Sequence, residues 1–264
     1  MRAARGTVAA RLRVALLAVL TIVLTTPAAA HAEVVRIAVA ANFAGAARDI
    51  GVSFETTTGH RAILSFGSTG HLYAQIAQGA PFDVFLAADR ARPRRAVEAG
   101  LAVASSRITY AVGRLVLYSA EGNRINGVAT LKDGHFARIA IPNPATAPYG
   151  AAAVETMGAI GVLDDLKPRL VRGNNVAQAY QFIATGNAEI GFVALSQIAG
   201  HDRGSRWLVP ETLHTAIAQD AVLLTRGAKN VAARAFMAFL GGAEAQAIKK
   251  RHGYGAGADT TMQR

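Results

Sequence analysis

Cysteine is missing from all 264 residues, which excludes disulfides and thiolate metal sites. Acidic residues are scarce, 17 against 28 Lys and Arg. Catalytic signatures are missing too. The histidines beyond the first segment (His60, His71, His135, His201, His214, His252) include no pair at metal-ligand spacing and no His-Glu-x-x-His pattern. No Gly-x-Ser-x-Gly elbow occurs, and Gly67-Ser-Thr-Gly70 is not followed by the lysine that a phosphate loop needs. Beyond the first thirty residues no apolar run is long enough to cross a bilayer.

That first segment reads as an export signal, not as part of the fold. Arg2, Arg5, Arg11 and Arg13 precede an apolar stretch from Val14 to Leu24, and Ala30-His-Ala32 supplies a small-x-small cleavage site. The alternative, an uncleaved anchor, needs about 20 apolar residues, and this run is shorter and is followed by Pro27 and small residues. Cleavage after Ala32 is expected, leaving 232 residues outside the cytoplasmic membrane, enough for two compact lobes stabilised by core burial alone. Removing the four signal arginines leaves 24 basic and 17 acidic side chains, a formal +7. The basic residues are scattered. Their densest runs, Arg90 to Arg95 and Lys249 to Arg251, lack interleaved aromatics, so no nucleic-acid partner is expected. The charge either steers an anionic ligand towards a cleft or is an ordinary solvated surface.

What the chain does have is a junction used four times: a short apolar strand, a turn of Gly, Ser, Thr or Asn, then a helix. Val34 to Asn42 runs into Phe43, and Ile63 to Gly70 runs into His71. Ile139 to Ala151 and Leu170 to Ala179 repeat the pattern. A helix start offers unpaired backbone N–H groups and the positive end of the helix dipole, so each junction suits an anion. None of the four turns carries a carboxylate, and only the last has a nearby cation, Arg172. Asn42, Ser68 and Thr69 add side-chain donors, although the same residue types cap helices where no ligand is present. Thr146 or Asn143 is expected to cap the third helix and Asn174 or Asn175 the fourth. Strand and helix patterns alternate almost throughout, the rhythm of βαβ units and largely parallel sheets covered on both faces. Ala111 to Gly113 and His214 to Ile217 lack helical periodicity and are expected to carry the chain between the lobes.

Several stretches, taken together and in order, resemble the molybdate-binding proteins of ABC transporters. They are Ala40-Ala-Asn-Phe43, Ser65-Phe-Gly-Ser-Thr-Gly70, Gly79 to Asp89, Gly186-Asn-Ala-Glu-Ile-Gly-Phe-Val193, and Phe236 to Leu240 with Gly253-Tyr254. The resemblance implies a two-lobed type II periplasmic binding protein of α/β class, each lobe a mainly parallel sheet flanked by helices. Lobe 1 would comprise residues 33–112 and 216–264, and lobe 2 residues 113–215. It implies binding without catalysis: capture of molybdate, and also tungstate, for delivery to a membrane permease by a monomer without cofactors, molybdenum being held only as its oxyanion with no direct metal ligands. The implied ligand positions are Asn42, Thr69, Tyr149 and Val176, with Ala41 and Ser68 as further candidates. A tyrosine that many members place after the Gly-Phe-Val strand is replaced by Ala194, which leaves the donor count open. A receptor for sulfate or another oxyanion, or a secreted hydrolase or transferase acting on phosphorylated substrates, stands as the alternative.

Overall fold

The computed structural model describes residues 32–200 and 203–255. The expected export signal therefore lies almost wholly outside the described residues. No helix among the described residues is long and apolar enough to cross a membrane.

The chain builds two five-stranded sheets. The first contains β1 (Val34–Ala40), β2 (Arg61–Gly67), β3 (Val84–Leu86), β4 (Ile108–Gly113) and β10 (Ile217–Leu223), in the order β2-β1-β3-β10-β4. The second contains β5 (Leu115–Ser119), β6 (Ile139–Pro142), β7 (Leu170–Gly173), β8 (Ile190–Ala194) and β9 (Ser205–Leu208), in the order β7-β6-β8-β5-β9. Sequence periodicity predicts mainly parallel sheets. In each sheet the pairings leave four strands codirectional and reverse one, β10 in the first and β5 in the second. The reversed strands are the two by which the chain arrives from the other sheet. It leaves the first sheet at Gly113, enters the second at Leu115, and returns between Leu208 and Ile217. Ala111 to Gly113 thus lies inside β4 and not in a connecting segment.

Helices cover the faces: α1 (Ala44–Thr58), α2 (Thr69–Ala77), α3 (Ala91–Glu98), α9 (Val231–Gly241) and α10 (Ala243–Arg251) on the first sheet. The second carries α4 (Gly127–Asp133), α5 (Pro148–Ile160), α6 (Leu163–Leu166), α7 (Val176–Ala184) and α8 (Leu195–Ile198). β1 is fully buried from Ile37 to Ala40, and β8 along its whole length, because both faces are covered. One apolar cluster joins β1, α1, α9 and α10 around Phe43, Phe54 and Phe236, and another joins β6, β8 and α5 around Ile141, Phe192 and Met157. The second cluster also takes in Ala40, Ala41 and Ala88 from the ends of β1 and β3 and Ile217 from the start of β10, so it spans both lobes.

Candidate functional site

The four strand-to-helix junctions converge. At the end of β1 a single 3-10 turn, Ala41–Phe43, precedes α1. Phe43 pins that turn with its ring edge-on to Tyr110 and Tyr254, at centroid distances of 4.8 and 5.1 Å. At the end of β2, Ser68 is the N-cap of α2, and its hydroxyl accepts from His71 N–H at 3.4 Å. At the end of β6, α5 opens on Pro148, tolerated there because that N–H has no intrahelical partner anyway. Ala147, not Thr146 or Asn143, occupies the N-cap of α5, with no side-chain cap. At the end of β7, Asn175 caps α7 by accepting from Gln178 N–H at 3.0 Å.

One small cavity of about 10 Å3 is lined by residues from all four starts. Its lining contains Ala41, Asn42, Ser68, Thr69, Tyr149 and Val176, all six positions anticipated from the sequence, and no charged side chain. The first N–H groups of each helix have no intrahelical acceptor, so the walls are backbone donors and hydroxyls on an apolar frame. In this arrangement the cavity has room for about one water-sized sphere. A larger groove of about 480 Å3 runs beside it, past Asp89–Arg92, Ala151 and Thr215–Ala218, but lacks the convergence of four helix starts. No cluster of metal-ligating side chains occurs among the described residues.

The side chains at the site do unequal work. Asn42 is buried, and both protons of its amide are engaged, one by Gln219 Oε1 at 2.9 Å and one by Tyr254 Oη at 3.1 Å. Its carbonyl accepts from the Tyr254 hydroxyl at 2.6 Å and from the Ser196 hydroxyl at 2.8 Å. The group that this residue leaves for a ligand is therefore its backbone N–H, not the side-chain NH2 expected from the sequence. Thr69 Oγ1 accepts from Ala88 N–H at 3.0 Å, which keeps the hydroxyl proton free to donate. Tyr149 Oη accepts from Gln219 Nε2 at 3.3 Å, and the same Gln219 accepts from the Tyr110 hydroxyl at 3.0 Å. Burial, more than any neighbour, pushes the phenols of Tyr110, Tyr149 and Tyr254 well above their ordinary range, so all three stay neutral.

Sequence reasoning missed this supporting network. Gln219 sits where the β10–β4 ladder slips register between Gln219 and Asp220, an irregularity that re-aims side chains beside a site and leaves no mark in an apolar pattern. Gly113 carries a signal that only the structure makes readable: a Cβ there would lie 2.1 Å from Tyr149 Oη. Ala194, where many family members place a tyrosine, is fully buried, and its N–H donates to Gln197 Oε1 at 3.0 Å. The hydroxyls around the first turn come instead from Tyr254 and Ser196.

Two α/β lobes of this topology, with a small polar cavity at the seam, define a type II periplasmic binding protein. A family model for bacterial extracellular solute-binding proteins matches residues 35–255, and the chain belongs to that family. The molybdate-binding protein ModA of Rhodobacter capsulatus is 50% identical over 231 residues, covering 88% of this chain and 91% of that protein. ModA of Azotobacter vinelandii is likewise 50% identical over 231 residues, covering 86% and 92%. The solved structure of the Azotobacter vinelandii periplasmic molybdate-binding protein matches with a TM-score of 0.81 at 39% identity, over 84% of this chain and 98% of that one.

Proposed function

We infer that this protein captures molybdate outside the cytoplasmic membrane and delivers it to an ABC permease. The observation that carries the reading is the meeting of four helix starts around one small uncharged cavity. A dianion taken out of water needs many hydrogen bonds, because leaving a buried charge unpaired is very costly. Neutral donors supply them without a fixed countercharge. Tungstate, of the same charge and shape, is a second ligand.

The donors are the backbone N–H groups of Ala41, Asn42, Tyr149 and Val176 together with the hydroxyls of Ser68 and Thr69. Lobe 1 is built on the first sheet and lobe 2 on the second, and the ligand favours the closed arrangement through contacts that it makes with both. The protein works as a periplasmic monomer, cleaved after Ala32, and binds without turnover. A thermal-shift panel of oxyanions tests the reading. Molybdate and tungstate at several hundred times their dissociation constants stabilise the protein by roughly 3–4 kcal/mol, while sulfate and phosphate do little. Equal shifts with sulfate point to a general oxyanion receptor instead.

A further inference from the structure

The turn Asn143–Ala147 ahead of α5 is gripped from the other lobe at two successive carbonyls. Gly70, the second residue of α2, donates its N–H to Thr146 O at 2.9 Å. Arg92, in the first turn of α3, donates Nη2 to Ala145 O at 3.0 Å. Asp89 holds Arg92 in place, through Nη1 at 2.5 Å and through the Arg92 N–H at 2.8 Å. The gripped turn is itself braced, with Asn143 Oδ1 accepting from Ala145 N–H at 3.1 Å and Asn143 O from Ala147 N–H at 2.9 Å. None of Gly70, Arg92, Ala145 and Thr146 lines the anion cavity.

Glycine disfavours a helix, so its place in the first turn of α2 calls for a reason. The contact supplies one. A Cβ on Gly70 would stand 3.0 Å from Thr146 Cα and 3.1 Å from Thr146 Cβ, closer than side chains ordinarily pack, so the turn facing it would have to shift by a few tenths of an ångström. Bare backbone at position 70 is what lets the two lobes come this close.

We propose that Gly70 and Arg92 form a latch across the cleft that sets how tightly the lobes close, and so sets ligand affinity without touching the ligand. The inference rests on the reading that the lobes close on an oxyanion. Whatever hinders the closed arrangement lowers the apparent affinity by the same factor as its population. Gly70 and Arg92 are positioning residues: by fixing residues 145–146 they hold the start of α5, and with it the Tyr149 N–H, at the cavity.

The test compares the unmodified protein, Gly70→Ala and Arg92→Ala by molybdate titration calorimetry, solution scattering and melting without ligand. Gly70→Ala is expected to melt no lower than the unmodified protein, because alanine favours the helix, yet to bind molybdate roughly tenfold more weakly and to compact less at saturation. Arg92→Ala is expected to weaken binding about fivefold, through faster release, with unchanged melting. A fold defect in Gly70→Ala leaves Arg92→Ala to decide. Compaction and affinity in both variants equal to those of the unmodified protein would overturn the latch alone. An unmodified protein that neither binds nor compacts with any tetrahedral oxyanion overturns the functional reading, and the latch falls with it.

Discussion

Asn42→Ala separates a ligand donor from a scaffold residue, and the structure sets the expected size. Truncation removes two buried hydrogen bonds, to Gln219 Oε1 and Tyr254 Oη, and leaves Tyr254 its bond to the Asn42 carbonyl and Gln219 its bond from Tyr110. Both former partners remain partly satisfied, so the loss falls near the typical net value per bond, about 2 kcal/mol in all. For a chain of this size that lowers the melting temperature of the ligand-free protein by about 4–8 °C. Since the amide protons point to protein groups, molybdate affinity should fall by less than about tenfold. Direct donation to the anion would instead cost about 1.5–3 kcal/mol of binding, with little effect on the empty protein. Calorimetric melts and molybdate titrations on the same samples distinguish the two. An unchanged melting temperature with affinity reduced about a hundredfold refutes the geometric argument and restores the side chain as a ligand.

Three further outcomes follow from other positions. Thr69→Val keeps the shape but removes both the acceptor for Ala88 N–H and the free hydroxyl proton, so stability and molybdate affinity should both fall, each by about 1–3 kcal/mol, and an unaltered titration curve would show that the hydroxyl does not reach the ligand. Val176→Pro occupies the first helical position, where proline is tolerated, but deletes the N–H assigned to the anion; a folded variant with strongly weakened binding is expected, and unimpaired binding would remove that donor. Lys249 is buried with its ammonium donating to Tyr110 O at 2.8 Å and Leu240 O at 3.1 Å, and burial lowers its pKa to about 8 from the ordinary 10.5. Between pH 8 and 10 the unfolded chain binds a proton that the folded chain lacks, so stability should rise with pH by at most about 3 kcal/mol. Above pH 10 it should fall as the tyrosines, held neutral by the fold, ionise on unfolding. Denaturant titrations across that range should lose the rise in Lys249→Met, and a rise that persists there would exclude Lys249 as its source.

The parts of this account legible in the sequence are those with a local cause. Apolar runs such as Val34–Ala40 and Ile190–Ala194 mark strands, and the turn residues behind them mark helix starts, so the junctions with Asn42, Ser68 and Thr69 are legible locally, whereas Ala41, Tyr149 and Val176 are implied only by the family resemblance. The supporting contacts are not legible in this way, because they join residues far apart in the chain. Gln219 meets Asn42 across 177 positions, and Tyr254 meets it across 212. Nothing local tells an Asn that donates to a ligand from one that donates to a glutamine. The reversed strands β5 and β10 were hidden for a related reason: an apolar pattern records burial, not direction. Gly70 reads as a turn residue and Gly113 as part of a connecting segment until the atoms that crowd them, Thr146 and Tyr149, are in view.

The central claim is that an anion is held by uncharged donors alone, and proton linkage tests it most directly. Molybdate binding should be measured by calorimetry from about pH 6 to 9, in buffers of different ionisation enthalpy. No side chain of the cavity titrates in that range, because its only ionisable members are hydroxyls and the Tyr149 phenol, raised by burial. The account predicts an affinity flat with pH and no protons exchanged with the buffer. An affinity that declines as pH rises, with proton uptake on binding, would reveal a histidine or amine carrying the charge and would contradict it.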